Sequence, residues 1–307
     1  MTPLAALIQP DTAVDTPAGT PSDKEKEGRA LIGDILVASG RLSPADAKRI
    51  AAQQRKQAML FGDAAIALKL LTREDVDFAL AKQFNYAWLP EQDQTLSHRL
   101  IAAYQPFSRV GENLRALRSQ IMLRWFSANP LHKVLAIVSA EPGEGRSFIA
   151  ANLAVVFAQQ GERTLLIDAD LRSPASQGQG ALFKLKSSLG LSSILAGRAG
   201  LDIAQSVPGL PGLTVLPAGA LPPNPQELLG RLAFVQLLGA ASHEFDVVLL
   251  DTPSGSRYAD ADIIAARAGA ALLVARKNKS STPRLKQLAQ RLQECDVRLL
   301  GSVLNDV

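Results

Sequence analysis

One stretch constrains this chain more than any other: residues 134–152, VLAIVSAEPGEGRSFIAAN. An apolar, β-branched run predicts a buried parallel strand, EPGEG breaks it, and a helical pattern starts at Arg146 and Ser147. Strand, glycine-rich turn and helix N-terminus aim backbone N–H groups and a helix dipole at one point, an arrangement suited to phosphate. Gly143 and Gly145 let the backbone curl without a Cβ clash. Ser147 puts a hydroxyl where a Mg²⁺ ion would sit beside the phosphates. The general pattern G-x-x-x-x-G-K-[ST] is met imperfectly, with Ala140 at its first glycine and Arg146 at its lysine.

A glycine-rich turn can also simply join a strand to a helix, so two later segments carry the argument. Residues 164–172, TLLIDADLR, form an apolar strand ending in Asp168, Asp170 and Arg172. Residues 245–253, FDVVLLDTP, form another ending in Asp251. Each places a carboxylate at the C-terminal edge of a parallel strand, where open α/β sheets bind their ligands. Three such features together are poorly explained as caps and turn formers.

EPGEGRS, LLIDADLR and VVLLDTP resemble the Walker A, A′ and B motifs of the bacterial tyrosine kinases, a P-loop family related to the MinD/ParA ATPases. GENLRALRS matches the family's E-x-x-R-x-x-R pattern at Glu112, Arg115 and Arg118, and PAGALPPNPQELL matches its Pro-Asn-Pro segment. The resemblance runs from residue 107 to the end and is closest to the exopolysaccharide chain-length-determinant kinases of EpsG type. It implies phosphoryl transfer from Mg·ATP to tyrosine. Backbone amides of Gly143, Glu144, Gly145, Arg146, Ser147 and Phe148 would cradle the phosphates, with Arg146 in the lysine's catalytic place. Ser147 and Asp251 would hold Mg²⁺. Asp168 and Asp170 would divide metal binding and acceptance of the tyrosine proton, in an order left open, and Arg172 would hold the triphosphate or its loop. Arginine is longer and forked, so its place at a phosphate site is not a conservative change. Glu112, Arg115 and Arg118, sharing one helix face, imply a homo-oligomer contact that can close into a ring. A membrane chain-length-determinant protein is the implied activator, and a protein tyrosine the substrate.

Alternating strands and helices after residue 109 predict an α/β fold, a mostly parallel sheet covered by helices on both faces. Residues 1–28, rich in Pro, Thr, Asp, Lys and Glu, predict a disordered leader. An internal repeat follows: LIGDILVASGRLSPADAKRIAAQQ aligns with LFGDAAIALKLLTREDVDFALAKQ at a spacing of 29 residues, Gly33 over Gly62. Ser43 and Thr72 fall at equivalent N-cap places, so residues 29–90 predict a small all-helical domain of two hairpins. This repeat resembles the N-terminal domain of type II secretion ATPases and their MshE-type relatives. Some of those bind cyclic di-GMP through arginines at positions held here by Leu31 and Leu60, so protein docking is expected and cyclic di-GMP is not. Residues 91–108 predict a linker, and residues 109–307 the P-loop domain.

With a single cysteine, Cys295, no internal disulfide is possible. No apolar run reaches a membrane span, and no signal-peptide pattern opens the chain. A cytoplasmic protein reaching the membrane through a partner is expected. The net charge of +4 lies outside residues 1–100, which carry 12 basic and 13 acidic groups. Arg276, Lys277, Lys279, Arg284, Lys286, Arg291 and Arg298 supply much of it, and a solvated helix face, not a nucleic-acid partner, is expected there. Two other classes remain open, a MinD/ParA-like ATPase switch and a catalytically weak scaffold favoured by Arg146. Of the three tyrosines, Tyr104 in the linker is expected to be the most presentable acceptor. Tyr258 is expected to pack at the start of a helix, and a tail-type tyrosine cluster is missing from the sequence.

Overall fold

The computed structural model describes residues 31–83, 86–186 and 188–306; the expected leader, 1–28, lies outside them. The chain divides between Gln83 and Phe84 into two compact units.

The first unit holds helices α1 (Ile32–Ala38), α2 (Pro44–Gln57), α3 (Phe61–Ala67) and α4 (Arg73–Gln83). The repeat is visible in the caps. Ser43 Oγ accepts from the Asp46 amide at 3.0 Å, and Thr72 Oγ1 accepts from Asp75 at 3.2 Å while Asp75 Oδ2 accepts back from Thr72 at 3.0 Å. Leu36, Leu42, Ile50, Ala64, Ala65, Leu71 and Ala79 form its core. Leu31 and Leu60, the repeat-equivalent residues, precede α1 and α3 and are both exposed.

The second unit opens with α5 (Ile101–Tyr104) and α6 (Arg109–Arg124). The α/β alternation then runs β1 (Val134–Ser139), α7 (Arg146–Gln159), β2 (Thr164–Asp168), α8 (Gln179–Leu182), α9 (Leu191–Leu195), β3 (Gln205–Ser206), β4 (Leu213–Leu216), α10 (Pro225–Gly230) and α11 (Leu232–Glu244). It ends with β5 (Val247–Asp251), α12 (Asp260–Ala268), β6 (Ala270–Arg276), α13 (Thr282–Glu294) and β7 (Arg298–Asn305). The sheet order is β3-β4-β2-β5-β1-β6-β7, parallel except for β3, an antiparallel edge that the sequence pattern does not announce. β1, β2 and β5 are buried along their whole length, as strands covered on both faces must be. Their C-terminal ends lie together: Asp168 is in register with Asp251, and Asp251 with Ile137.

Two expected bounds are corrected: the helical unit ends at Gln83, not at residue 90, and residues 91–108 are no free linker, because residues 86–108 belong to the α/β unit. They pack on α7, burying Leu89, Leu96, Leu100, Ala102, Ala103 and Tyr104 in the core on that face of the sheet. Two α7 side chains hold them: Asn152 Oδ1 accepts from the Ala102 amide at 2.9 Å, and Gln159 Nε2 donates to Ala87 and Ala102 carbonyls at 2.8 Å. The polar surface of this segment hid a run of apolar anchors. The helix expected from residue 258 begins at Asp260, which leaves Tyr258 in the loop after β5.

Candidate functional site

The loop between β1 and α7 has the geometry that its glycines require. Gly143 and Gly145 take φ of 74° and 93°, and a Cβ at Gly145 would stand 1.9 Å from Asn305 Nδ2. The loop is braced from the ends of β6 and β7: Arg276 donates to the Gly143 carbonyl at 3.2 Å and Asn305 to the Glu144 carbonyl at 3.1 Å. Glu144 is fully buried, accepting from the Glu141 amide at 2.7 Å and from the Ser280 hydroxyl. Its side chain fastens the loop and does not line the cavity.

The other expected nucleotide and metal residues meet in one cavity of about 480 Å³: Gly143, Gly145, Arg146, Ser147, Phe148, Asp168, Asp170, Arg172 and Asp251. Glu112, Arg115 and Arg118 lie away from it on α6. Arg115 donates to the Pro106 carbonyl and to Glu112, and Arg118 donates to the Val156 carbonyl at 3.1 Å. Of the three, Glu112 is the most exposed.

Arg146 does not extend along the loop. It is buried, donates to Ser139 Oγ at 2.6 Å and to the Thr252 carbonyl, and lies 3.9 Å from Asp170 and 3.8 Å from Asp251. Asp170 is occupied by its own turn, accepting from the Arg172 and Ser173 amides at 3.1 Å and the Ser173 hydroxyl at 2.7 Å. Burial, then the neighbouring Asp251 charge, pushes Asp168 up to about 8. Asp251 is also pushed up by burial, against the pull of Arg146, Ser147 and Gln179. Arg172 is committed sideways, with two bonds of 2.6 and 2.9 Å to the buried Asp260 and its guanidinium 3.8 Å from the centre of the Tyr258 ring. It lines the cavity while anchored to the start of α12 and stacked on the loop after β5.

Gln179 is the residue that sequence reasoning misses. Its amide donates to Asp168 Oδ2 at 2.7 Å, and its side chain donates to Asp251 Oδ2 at 2.7 Å and the Ser147 carbonyl at 3.1 Å. It thereby ties both carboxylates to the phosphate loop. Nothing local marks a glutamine eleven residues beyond Asp168 for this. Of the basic residues expected on a solvated helix face, Arg284 and Lys286 are exposed on α13, Arg284 also pairing with Glu141, whereas Arg276 lies on β6 and Arg291 is drawn in to Asp262 at 3.1 Å and the Gly255 carbonyl at 2.7 Å.

The donor set fits Mg²⁺. Asp251 Oδ1 and Gln179 Oε1 are buried acceptors with no hydrogen-bond donor. Arg99, Arg172 and Arg257 also line the cavity, but only one guanidinium, Arg146, is buried beside the buried carboxylates Asp168, Asp170 and Asp251, a local excess of negative charge that a divalent cation balances. Among the described residues no cluster of three or more His, Cys, Asp and Glu forms a ready cage. Mg²⁺ takes one or two carboxylates and completes its octahedron with water and substrate phosphates.

Comparison with known proteins identifies the kind of domain that carries this site. Residues 135–307 match the CobQ/CobB/MinD/ParA nucleotide binding domain. The chain is 37% identical over 210 residues to the tyrosine-protein kinase YwqD of Bacillus subtilis, covering 68% of this chain and 86% of that one. It is 34% identical over 217 residues to the tyrosine-protein kinase etk of Escherichia coli K12, covering 71% of this chain but only 29% of that protein. The solved kinase domain of the Escherichia coli tyrosine kinase ETK superposes with a TM-score of 0.64 at 33% identity, covering 71% of this chain and 84% of that domain.

Proposed function

Because the chain belongs to the bacterial tyrosine-kinase family, with its CobQ/CobB/MinD/ParA-type nucleotide-binding domain, we propose that it transfers the γ-phosphoryl group of Mg·ATP to tyrosine. The observation that carries this is the convergence of Ser147, Asp168, Asp170 and Asp251 on the phosphate-loop cavity. Phosphoryl transfer rests on positioning and on neutralising charge spread over the moving group. Loop amides from Gly143 to Phe148 bind the phosphates at the start of α7. Ser147 and Asp251 hold Mg²⁺, which when bound supplies charge neutralisation at the phosphates. The Asp168–Asp170 pair accepts the proton of the attacking phenol, and Gln179 keeps Asp168 and Asp251 in place.

The reading extends to an EpsG-type role, regulating exopolysaccharide polymerisation and chain length with a membrane partner from the cytoplasmic side, where ATP is available. Among the described residues no helix is long and apolar enough to cross a membrane. The helical repeat unit serves as a docking module in this reading, and Glu112, Arg115 and Arg118 as a subunit contact. Arg115 and Arg118 are held to their own chain, so Glu112→Arg tests that contact with less damage to the fold than reversing both arginines. A second reading, a slow kinase acting as a scaffold, is favoured by Arg146 lying across Asp170 and Asp251 instead of along the phosphates. Incubation with labelled ATP and Mg²⁺, with and without candidate membrane activators, followed by phosphoamino-acid analysis, tests both. Phosphotyrosine that increases in Arg146→Lys supports the kinase, restrained by its arginine. Nucleotide binding with no phosphotyrosine in either form supports the scaffold.

A further inference from the structure

The three tyrosines of this chain stand in unlike surroundings. Tyr86 is half-buried, and its hydroxyl donates to Gln159 Oε1 at 2.8 Å. Tyr104 is buried, and its hydroxyl donates to the Leu96 carbonyl at 3.0 Å and accepts from the Leu96 amide at 3.2 Å. The expectation that Tyr104 is the presentable acceptor therefore fails: exposing it would break the packing of residues 86–108 on α7. Tyr258 is 42% exposed, lines the phosphate-loop cavity, and its hydroxyl has no hydrogen-bond partner among the described residues.

Its ring is nevertheless held. Arg172 stacks on it, and Arg172 is locked by two bonds to Asp260, a residue with no exposed surface. A phenol restrained beside the reacting groups loses little further freedom in reaching them. Its surroundings also suit the product. A phosphotyrosine carries nearly two negative charges and three strong acceptors, and it needs cations beside it. Arg172 lies against the ring. Arg257, the preceding residue, is exposed, lines the same cavity, and has no ion pair among the described residues.

We propose that Tyr258 is a phosphoacceptor of this chain itself, a modification site in the loop after β5 inside the nucleotide cavity. The inference rests on the kinase reading above. The Tyr258 phenolic oxygen attacks the γ-phosphorus of ATP and forms the new O–P bond. The bond from that phosphorus to the bridging oxygen breaks, and ADP leaves with its electron pair. The phenolic proton passes to a carboxylate of the Asp168–Asp170 pair. The finished phosphate lies beside Arg172 and Arg257.

The test incubates the full chain with Mg·ATP and a glutamate–tyrosine copolymer, with and without the candidate membrane activators, then maps phosphorylated peptides by mass spectrometry. Asp251→Asn, Tyr258→Phe and Tyr86→Phe chains are treated in parallel. Phosphate is expected on Tyr258 of the parent, at least tenfold lower in Asp251→Asn. Label on the chain itself should fall several-fold in Tyr258→Phe and persist in Tyr86→Phe. Label on the copolymer, Tyr86 or Tyr104 with Tyr258 unmodified overturns the assignment and leaves the kinase reading standing. Equal phosphate on Tyr258 in the parent and Asp251→Asn overturns self-phosphorylation. Absence of phosphotyrosine from both chain and copolymer overturns the kinase reading and this inference together.

Discussion

In the helical repeat unit every buried core residue is apolar, from Leu36 to Ala79, and the ion pairs, such as Arg41 with Asp75 at 2.6 Å, stay at the surface. In the α/β unit, Arg146, Asp168, Asp170, Asp251 and Asp260 are all buried, four of them grouped at the ends of β1, β2 and β5. Buried charge is costly unless it is paired and hydrogen-bonded, and here carboxylates outnumber the guanidinium. The difference separates two uses of an interior. One unit gains stability from its core, and the other gives up stability to keep charge ready for a phosphate and a metal. Changes that remove charge from the second should therefore lower activity and spare or raise stability. Changes that remove apolar volume from the first should do the reverse.

The largest effect is expected at Asp251. Asp251→Asn keeps the side-chain volume and the Gln179 contact in place but removes the charge. Phosphotyrosine formation should drop by about 100-fold or more, with circular dichroism unchanged. A variant that keeps a third of the parent rate would break the site half of the comparison. In the other unit, Leu36→Ala should cost about 2–5 kcal/mol in the helical repeat while copolymer phosphorylation by the α/β unit persists. Hydrogen exchange of peptides from α1 to α4 measures this, and protection unchanged in those helices would contradict it.

Asp168→Asn sharpens the comparison through pH. The folded chain holds on Asp168 a proton that the unfolded chain gives up above its ordinary value of 3.8, because burial pushes the folded group up to about 8. That contribution is fully present below pH ~4 and is lost progressively as pH rises toward about 8. In EDTA, Asp168→Asn should therefore melt higher than the parent at pH 8, with the gap closing toward pH 4, although it transfers no phosphate. A parent that melts higher than the variant at pH 8 would show that Asp168 is not an uncompensated buried charge. The smallest effect is expected at a cap: Thr72→Ala should cost the repeat unit about 1 kcal/mol, read from denaturant midpoints, and Ser43→Ala a similar amount. A cost confined to one of the two would mean that the halves of the repeat are not energetically equivalent.

What the sequence determined by itself is whatever depends on neighbours along the chain. The 29-residue repeat and its caps are local, set by Ser43 and Thr72 bonding amides three residues on. The turn at Gly143 and Gly145 is local as well, and so is the placing of Asp168 and Asp251 at strand ends, since an apolar run that stops at a carboxylate marks its own edge. Tertiary structure alone decided which distant side chains meet these groups. Gln179 reaches Asp251 across 72 residues, Arg172 meets Asp260 across 88, and Arg146 meets the Thr252 carbonyl across 106. The same holds for residues 86–108, polar in composition yet anchored to Asn152 and Gln159, and for Tyr258, which a local pattern puts on a helix and the fold puts in the cavity. Periodicity and capping act within about a turn of helix or a few strand residues. A contact made by bringing β2, β5 and the loops beyond them together leaves no trace at either of its ends.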